Sequence, residues 1–246
     1  MYRFFVDPSQ IQDKKIIITG SDFNHIKNVL RMKIGEEIAV SNGADDREYR
    51  CGIEYYTDHE VVCTLRFIKE GGVELPAKIY LFQGLPKADK MELVIQKAVE
   101  LGVYEVIPVA AKRCVVKLDE RKMSTKVNRW QGRAEAAAKQ SKRGVIPVVY
   151  NVMSMQEAIA YAKDMDTKLI PYELAQDMQH TKDIVEAVKP DERIAVFIGP
   201  EGGFEESEIQ AAMAAGIEPV TLGRRILRTE TAGITVLSWL MYQLES

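Results

Sequence analysis

The chain has 246 residues, of which 46% are hydrophobic and 28% charged, ordinary proportions for a globular protein with a substantial core. No apolar run approaches the roughly 20 residues of a membrane-spanning helix, and the first residues lack the apolar stretch of a signal peptide. The three cysteines are odd in number and widely spaced, which favours buried thiols over a disulfide framework or a zinc site. We therefore expect a cytoplasmic protein.

The net charge is −3, but the charges are distributed unevenly along the chain. Residues 1–77 carry 10 basic and 13 acidic side chains, residues 78–150 carry 15 and 7, and residues 151–246 carry 8 and 16. The middle third therefore has a net charge of +8, which indicates a surface that faces a polyanion such as RNA. A set of solvated helix faces explains the same charges equally well.

The first seventy residues predict a small β-barrel with one helix. Strands are expected at residues 16–18 and 37–41, and residues 49–55 and 61–67 alternate between apolar and polar side chains, as half-buried strands do. Residues 22–30 have helical spacing, with Ser21 or Asp22 as the N-cap. A glycine- and proline-bearing linker follows at 71–77, so we expect domains at 1–70 and 78–246.

From residue 78 the pattern alternates between strand and helix, which predicts an α/β domain with a parallel sheet covered by helices on both faces. The expected strands are 79–83, 103–109, 145–150, 168–172, 193–199 and 217–222. The expected helices are 90–101, 122–142, 154–163, 177–188, 205–215 and 230–243.

Two glycine-bearing segments near the C-terminus, residues 197–204 and 222–232, each follow a buried strand and precede a helix. Tight turns at the carboxyl ends of parallel strands are a usual place for a ligand, although ordinary β–α turns also use glycine. The glycine spacing does not fit a dinucleotide fingerprint, and neither a phosphate loop nor a nucleophile elbow is present. The three histidines are scattered, so no metal site is expected.

These two segments, with sequences IGPEGG and LGRRILRTETA, resemble the SPOUT class of RNA methyltransferases, and within it the bacterial 16S rRNA (uracil-N3)-methyltransferase family. Shorter matches at residues 3–5, 25–35, 96–103 and 129–143 extend the resemblance over nearly the whole chain. It implies an N-terminal PUA-like RNA-binding domain, a C-terminal trefoil knot, a homodimer and S-adenosylmethionine as the methyl donor. Its substrate would be a uridine of 16S rRNA in the assembling or mature small ribosomal subunit.

The resemblance implies that the two glycine segments hold the methyl donor, with backbone groups reading its polar edges and apolar residues enclosing its adenine. Tyr172, at the end of a predicted strand, is expected either to form a third wall or to belong to the core. The expected donor-binding residues are Tyr172, Gly199, Pro200, Glu201, Gly202, Gly203, Leu222, Gly223, Ile226, Leu227 and Thr231.

Uracil N3 carries a proton at neutral pH, so a methyltransferase for this atom must remove the proton or stabilise the anion. Arg228 is the predicted anion-stabilising group, because a guanidinium stays charged and donates two parallel hydrogen bonds. Glu230 or Glu201 is the predicted proton acceptor, with a pKa raised by burial. Two alternatives stay open: Glu230 compensates a helix N-terminus, or Glu201 bonds backbone amides within its loop.

The basic tract of the middle third is predicted to contact rRNA phosphates, and the N-terminal domain to supply further contacts. Trp130, which lies between charged residues, is expected to anchor the core. The predicted RNA-binding residues are Arg3, His25, Arg31, Arg113, Arg129, Arg133, Lys142 and Arg143, and the tract also includes Arg121, Lys122, Lys126 and Lys139.

Two other functions compete with this one. A SPOUT methyltransferase for another RNA or another atom would carry the same segments. A non-enzymatic RNA-binding assembly factor would have lost its donor, and the intact glycines and Arg228 argue against it.

Overall fold

The structure is a computed structural model that describes residues 1–115, 120–175 and 177–246, apart from the side chains of 120–122. The chain forms two compact units. One consists of Met1–Glu74 and Ala138–Ile146, the other of Leu75–Ala137 and Pro147–Ser246. The domain limits expected near residues 70 and 78 stay predictions. Among the described helices, none combines the length and apolar character that crossing a membrane would require.

The first unit is built on a six-stranded sheet that curls into a half-barrel. In the sheet the strand order is β1-β4-β5-β6-β3-β2, with β1 and β4 parallel and the other neighbours antiparallel. This sheet matches the expected small β-barrel domain. Its strands are β1 (Arg3–Phe5), β2 (Ile11–Gln12), β3 (Lys15–Ile18), β4 (Glu37–Ser41), β5 (Glu48–Tyr56) and β6 (Val61–Lys69).

The helix expected at residues 22–30 starts earlier and changes its winding. It begins as α1 (Gly20–Asn24), with Thr19 in extended conformation as the N-cap, so the expected caps Ser21 and Asp22 are wrong. It continues as a π-helical turn at His25–Val29, whose Ile26 is fully buried. The wider turn keeps one apolar side chain in the sheet's core while its neighbours face outwards.

The alternation predicted for residues 61–67 breaks at its end. Val61 and Cys63 are buried, but Phe67 is 58% exposed. The cause is a register shift in the pairing with β5, where Arg50 pairs with Phe67 and Cys51 pairs with Leu65. One extra residue in a strand turns all the following side chains to the opposite face.

The second unit has the predicted parallel sheet with helices. Its strand order is β10-β8-β7-β12-β11-β13, β9 also pairs with β8, and every pair is parallel. The strands are β7 (Lys78–Gly84), β8 (Glu105–Ala110), β9 (Val148–Val149), β10 (Met153–Ser154), β11 (Thr167–Pro171), β12 (Arg193–Ile198) and β13 (Glu218–Val220). The helices are α2 (Lys90–Glu100), α3 (Glu120–Ser141), α4 (Met155–Tyr161), α5 (Met178–Ala187), α6 (Glu206–Ala214) and α7 (Thr229–Leu244).

The core of this sheet lies on β7 and β12, which are neighbours although more than 100 residues separate them in sequence. Phe82 of β7 stacks on Phe197 of β12, with ring centroids 4.3 Å apart. From β7 the chain crosses to β8 on one side, whereas β12 lies on the other, so the strand order reverses between them. Such a switch point opens a crevice at the carboxyl ends of the strands. The trefoil knot stays a prediction.

Candidate active site

A cleft lies at the carboxyl ends of β11, β12 and β13, inside the second unit. Its volume is about 1460 Å³, above the 300–1,000 Å³ typical of a site for one small molecule. The lining comes from the loop after β11, from loops 199–204 and 221–228, from Arg113, from the start of α7, and from single residues of α2, α5 and α6. The two glycine segments singled out in the sequence therefore meet at one site.

The first wall is the loop after β12. Gly203 donates its backbone N–H to the Pro200 carbonyl (2.8 Å) and has φ +69°, a left-handed conformation that glycine adopts without strain. A Cβ on Gly199 would lie 3.2 Å from the Gly203 Cα, tighter than ordinary van der Waals contact. The loop is thus a compact turn that presents backbone to the cleft.

Gly84, the last residue of β7, is a structural requirement that the sequence did not reveal. A Cβ at this position would lie 2.6 Å from both the nitrogen and Cδ of Pro200. Because backbone atoms are involved, a side chain at position 84 would displace the first wall. A glycine at a strand end followed by Leu-Pro was the available signal, and it is a weak one.

A hydrogen-bond chain ties this wall to α7. The buried Gln83 side chain donates from Nε2 to the Thr229 hydroxyl (2.9 Å) and to the Gly84 carbonyl (3.0 Å). Thr229 in turn donates its hydroxyl to the Gly199 carbonyl (2.5 Å). Since the amide and the hydroxyl are buried, breaking the chain would leave polar groups without partners. Neither Gln83 nor Thr229 was predicted as a site residue.

The second wall is the loop between β13 and α7. Its start is fixed by Thr181 of α5, which donates its hydroxyl to the Thr221 carbonyl (3.3 Å) and accepts the Thr221 N–H (3.1 Å). Leu222 and Leu227 are half-buried and line the cleft. Ile226 also lines it but is 86% exposed. Ile226 was expected to pack into the second wall, but its side chain is exposed instead.

Tyr172 and Thr231 have different surroundings. Tyr172 lines the cleft, and its hydroxyl donates to Glu206 Oε2 (2.6 Å). That hydrogen bond to a carboxylate, followed by burial, raises the pKa of Tyr172, so the phenol stays protonated. Thr231 is exposed on the first turn of α7 and is absent from the lining, where Thr229 and Ala232 stand instead.

Arg228 is the N-cap residue of α7 and has an exposed side chain at the cleft. Within the part of the chain that the structure describes, its guanidinium has neither an ion pair nor a side-chain hydrogen bond. An arginine without a partner beside a ligand cleft is available to a ligand that becomes anionic.

The two predicted carboxylates share a lysine that the sequence did not single out. Lys90, the first residue of α2, lies 3.1 Å from Glu201 Oε1 and 3.4 Å from Glu230 Oε2. The hydrogen bond to Glu201 is the largest cause that raises the pKa of Lys90, so the Lys90 side chain is positively charged at neutral pH. It joins α2, the first wall and the start of α7.

For Glu201 the predicted rise in pKa is wrong. Burial raises the pKa of Glu201, but hydrogen bonds from backbone N–H groups and from Lys90 outweigh burial and lower it. The Lys87 N–H donates to both carboxylate oxygens, at 3.1 and 3.3 Å. Glu201 therefore fits the alternative of a carboxylate that bonds backbone amides. Glu230 is not part of the cleft lining, and its buried Oε2 has no hydrogen-bond partner among the described residues.

We expect the Glu201→Gln variant to be less stable than the wild type at pH 7, by less than about 1 kcal/mol because the carboxylate is partly exposed. A lowered pKa in the folded state stabilises the fold above the ordinary value near 4.5, and this contribution disappears as the pH falls through the lowered value. Urea unfolding from pH 7 to pH 3 measures it. Glu135→Gln, at an exposed glutamate of α3, is the control for the loss of a carboxylate. A deficit for Glu201→Gln that stays constant with pH would contradict this assignment.

In the first unit two of the predicted RNA-binding residues are structural. Arg143 is 3% exposed and is paired with Glu74, with nitrogen–oxygen distances of 2.5–3.2 Å. Arg3 is bound by Glu48 and by the carbonyls of Lys142 and Arg143. Both guanidinium groups are thus held by internal contacts, and their contact with RNA stays a prediction.

His25, Arg31 and Lys142 remain exposed in this unit. The His25 ring makes an edge-to-face contact with Phe4, with centroids 6.1 Å apart. Lys139, which belongs to the basic tract, is paired with Asp22 at 3.1 Å.

In the second unit the basic helix α3 is partly neutralised. Glu92 of α2 is 8% exposed. It is paired with Arg129 and accepts a 2.6 Å hydrogen bond from Arg133 Nε. A buried carboxylate needs such partners, so the two arginines have a structural role, while more than half of each side chain stays exposed. Trp130 between them is 5% exposed, which confirms it as a core anchor. The side chains of Arg121 and Lys122 lie outside the described residues.

Arg113 belongs to the cleft and not to the helix face. Its side chain lines the cleft, and its Nη1 donates to the Gly202 carbonyl (3.2 Å). It is therefore placed beside the first wall, where it meets whatever enters the cleft. In the described part of the chain, no group of three or more His, Cys, Asp or Glu side chains is arranged to hold a metal ion.

Comparison with known proteins identifies relatives along the whole chain. A family model described as an RNA methyltransferase domain matches residues 73–241, and one described as an RNA methyltransferase PUA domain matches residues 18–66. Ribosomal RNA small subunit methyltransferase E of Bacillus subtilis is 36% identical over 251 aligned positions, covering 100% of this chain and 98% of the relative.

Solved structures agree with these matches. A ribosomal RNA small subunit methyltransferase E from Neisseria gonorrhoeae, bound to S-adenosylmethionine, has a TM-score of 0.82 at 31% identity, over 97% of this chain and 96% of that one. A methyltransferase from Legionella pneumophila with the same bound cofactor also has a TM-score of 0.82, at 33% identity over 98% and 96% of the two chains. The predicted resemblance, the PUA-like domain and the methyl donor of the family are thereby confirmed.

Proposed function

The chain belongs to the RNA methyltransferase family, and from that membership we propose that it methylates N3 of a uridine in the 16S rRNA of the small ribosomal subunit, with S-adenosylmethionine as the donor. One observation supports the proposal above all others. The cleft at the strand ends brings together two loops that expose backbone and an arginine without a partner. These are the parts that a donor and a nucleobase that becomes anionic require.

The first and second walls fit the methyl donor. Gly199 and Gly203 expose backbone polar groups, and Leu222 and Leu227 offer apolar surface for an adenine. S-adenosylmethionine, when bound, supplies a methyl group that is activated by a positively charged sulfur. The hydrogen bonds from Gln83 through Thr229 to Gly199 hold the first wall in place before the donor arrives.

Arg228 carries the chemistry on the RNA side. The N3–H bond of uracil must break before N3 can form its new bond to carbon, and the resulting negative charge spreads onto the two carbonyl oxygens that flank N3. Two parallel N–H donors of the Arg228 guanidinium match that charge, so the anion is stabilised where it forms. The larger the stabilisation, the lower the barrier to methyl transfer.

In this proposal the proton that leaves N3 passes either to Glu201, which lines the cleft, or to Glu230, which does not. Hydrogen bonds from backbone N–H groups and from Lys90 lower the pKa of Glu201, which weakens this carboxylate as a base. Glu230 follows Arg228 by two residues and keeps a carboxylate oxygen that lacks a hydrogen-bond partner among the described residues. Lys90, 3.4 Å from that oxygen, forms an ion pair with the carboxylate and orients it.

The exposed basic groups of each unit would contact rRNA phosphates. These are His25, Arg31 and Lys142 in the first unit, and in the second Arg113 with the exposed parts of Arg129 and Arg133. Such contacts give affinity and salt dependence but little choice of sequence. We also propose that the protein forms a homodimer and is located in the cytoplasm.

Mass spectrometry of small-subunit rRNA from cells that lack this protein tests the proposal. We expect one N3-methyluridine to be missing, and expression of the wild-type chain to restore it. An unchanged rRNA, or a missing methyl group at another atom or in another RNA, would overturn the assignment. Calorimetry with S-adenosylmethionine alone provides the second readout, because an assembly factor that had lost its donor would not bind it.

A further inference from the structure

The loop between β13 and α7 carries a combination of side chains that its own fold does not use. Arg224, Arg225 and Arg228 are all exposed, and none has a partner among the described residues. Between them lies Ile226, whose 86% exposure is the highest of the large apolar side chains that the structure describes. All four line the cleft.

These side chains need a ligand that is both anionic and apolar. Three unpaired guanidinium groups within five residues attract phosphate, and an isoleucine held in water among them gains free energy only when an apolar surface covers it. A nucleic acid strand offers both, since its phosphates are anionic and the faces of its bases are apolar. A protein partner would have to combine clustered carboxylates with an apolar pocket.

The chemistry proposed above makes such a device necessary. N3 is on the pairing edge of uracil, so the base must be unpaired and turned out of its stack before N3 can enter a cleft. The base stack of the RNA then has a gap where the uracil was. Unless another group fills this gap, the uracil returns to the stack. Apolar side chains fill such gaps in other nucleic-acid complexes.

We propose that Ile226 is a wedge that occupies the stack beside the extruded nucleotide, and that Arg224 and Arg225 hold the phosphates on either side of it. This inference rests on the proposed function, because it requires an RNA base as the substrate. It assigns Ile226 to the RNA and not to the methyl donor. Arg228 stays with the extruded base.

Single-turnover methylation of small-subunit rRNA, purified from cells that lack the protein, tests the wedge. Ile226→Ser should lower the rate about 10- to 100-fold, whereas Ile226→Leu, which keeps the apolar volume, should retain most of it. Met213→Ser on α6 is the control, because Met213 is 49% exposed but does not line the cleft. Affinity for S-adenosylmethionine, measured by calorimetry without RNA, should be the same for Ile226→Ser and wild type.

The arginines are tested through the salt dependence of binding to the same rRNA. Arg224→Ala and Arg225→Ala should each reduce the slope of log K against log salt by about 0.7, the value for one phosphate contact on a single strand. Ile226→Ser should leave the slope unchanged. Lys182→Ala, at an exposed position of α5 outside the cleft, is the control.

Three results would overturn the inference. They are a wild-type rate for Ile226→Ser, a loss of donor affinity in that variant without RNA, and a change of its oligomeric state in sedimentation. The first would remove the wedge, the second would make Ile226 a wall for the donor, and the third would make it a subunit contact. If instead the wild-type protein methylates the rRNA neither when it is free nor within the small ribosomal subunit, the proposed function itself fails.

Discussion

Replacing Arg228 with alanine is expected to lower the single-turnover rate of rRNA methylation by about 10²- to 10³-fold, the loss typical when one donor to a developing anion is removed. The reason is that Arg228 is the N-cap residue of α7 and that its guanidinium has no ion pair or side-chain hydrogen bond among the described residues. Affinity for S-adenosylmethionine should not change, because Arg228 acts on the RNA base. Rapid-quench methylation with rRNA that lacks the modification, together with calorimetry of the donor alone, separates the two effects.

Arg228→Lys keeps the charge but loses the second parallel hydrogen bond, so we expect an intermediate rate. Lys182→Ala removes a cation from the same unit without touching the cleft and should behave as wild type. An Arg228→Ala variant that methylates at the wild-type rate would remove Arg228 from the mechanism. One that loses donor affinity instead would place the guanidinium on the donor.

What the sequence predicted well depends on local patterns. The strands β7 and β12 contain continuous apolar runs, and the first glycine loop follows β12, so this side of the cleft could be predicted. The parallel sheet followed from the alternation of strands and helices.

What the sequence did not predict depends on contacts between distant residues. Arg143 carries the charge expected of an RNA contact. In the fold it is buried and paired with Glu74, which lies 69 residues earlier in the chain. Lys90 looked like an ordinary helix residue, although Glu201 lies beside it in space and 111 residues away in the chain. The charge of a basic side chain does not show whether it will contact solvent, a ligand or an internal carboxylate. That partner is placed beside it only when the chain folds.

Two features of the backbone geometry could not be predicted from the sequence for the same reason. Only a weak signal near Gly84 in the sequence indicates that its position needs a glycine, and nothing near Phe67 shows that a bulge will turn it outwards. The bulge depends on the pairing of two strands, and the close approach depends on the adjacency of β7 and β12. Both properties belong to the assembled sheet.

Gly84→Ala is the variant that tests how the first wall is held. Its Cβ would lie 2.6 Å from the nitrogen and Cδ of Pro200, so either β7 or the loop at 199–203 must move. We expect the free energy of unfolding to fall by about 1–3 kcal/mol, as for other overpacked sites. Affinity for S-adenosylmethionine should fall more than about 10-fold, because even a displacement of about 1 Å misplaces the backbone groups that face the donor. Urea unfolding and calorimetry measure the two quantities.

Two other glycines separate the steric effect from the general cost of losing a glycine. Gly132, within α3, has nothing within 4 Å of an added Cβ, so Gly132→Ala should leave donor binding unchanged and stabilise the helix by up to about 1 kcal/mol. Gly203 also has open space but a φ of +69°, so Gly203→Ala should cost about 1–2 kcal/mol through backbone strain alone. If Gly84→Ala matches Gly132→Ala in both measurements, the approach of Pro200 to β7 does not position the loop. If it loses donor affinity while Gly132→Ala does not, the contact between two strand ends holds the binding wall in place.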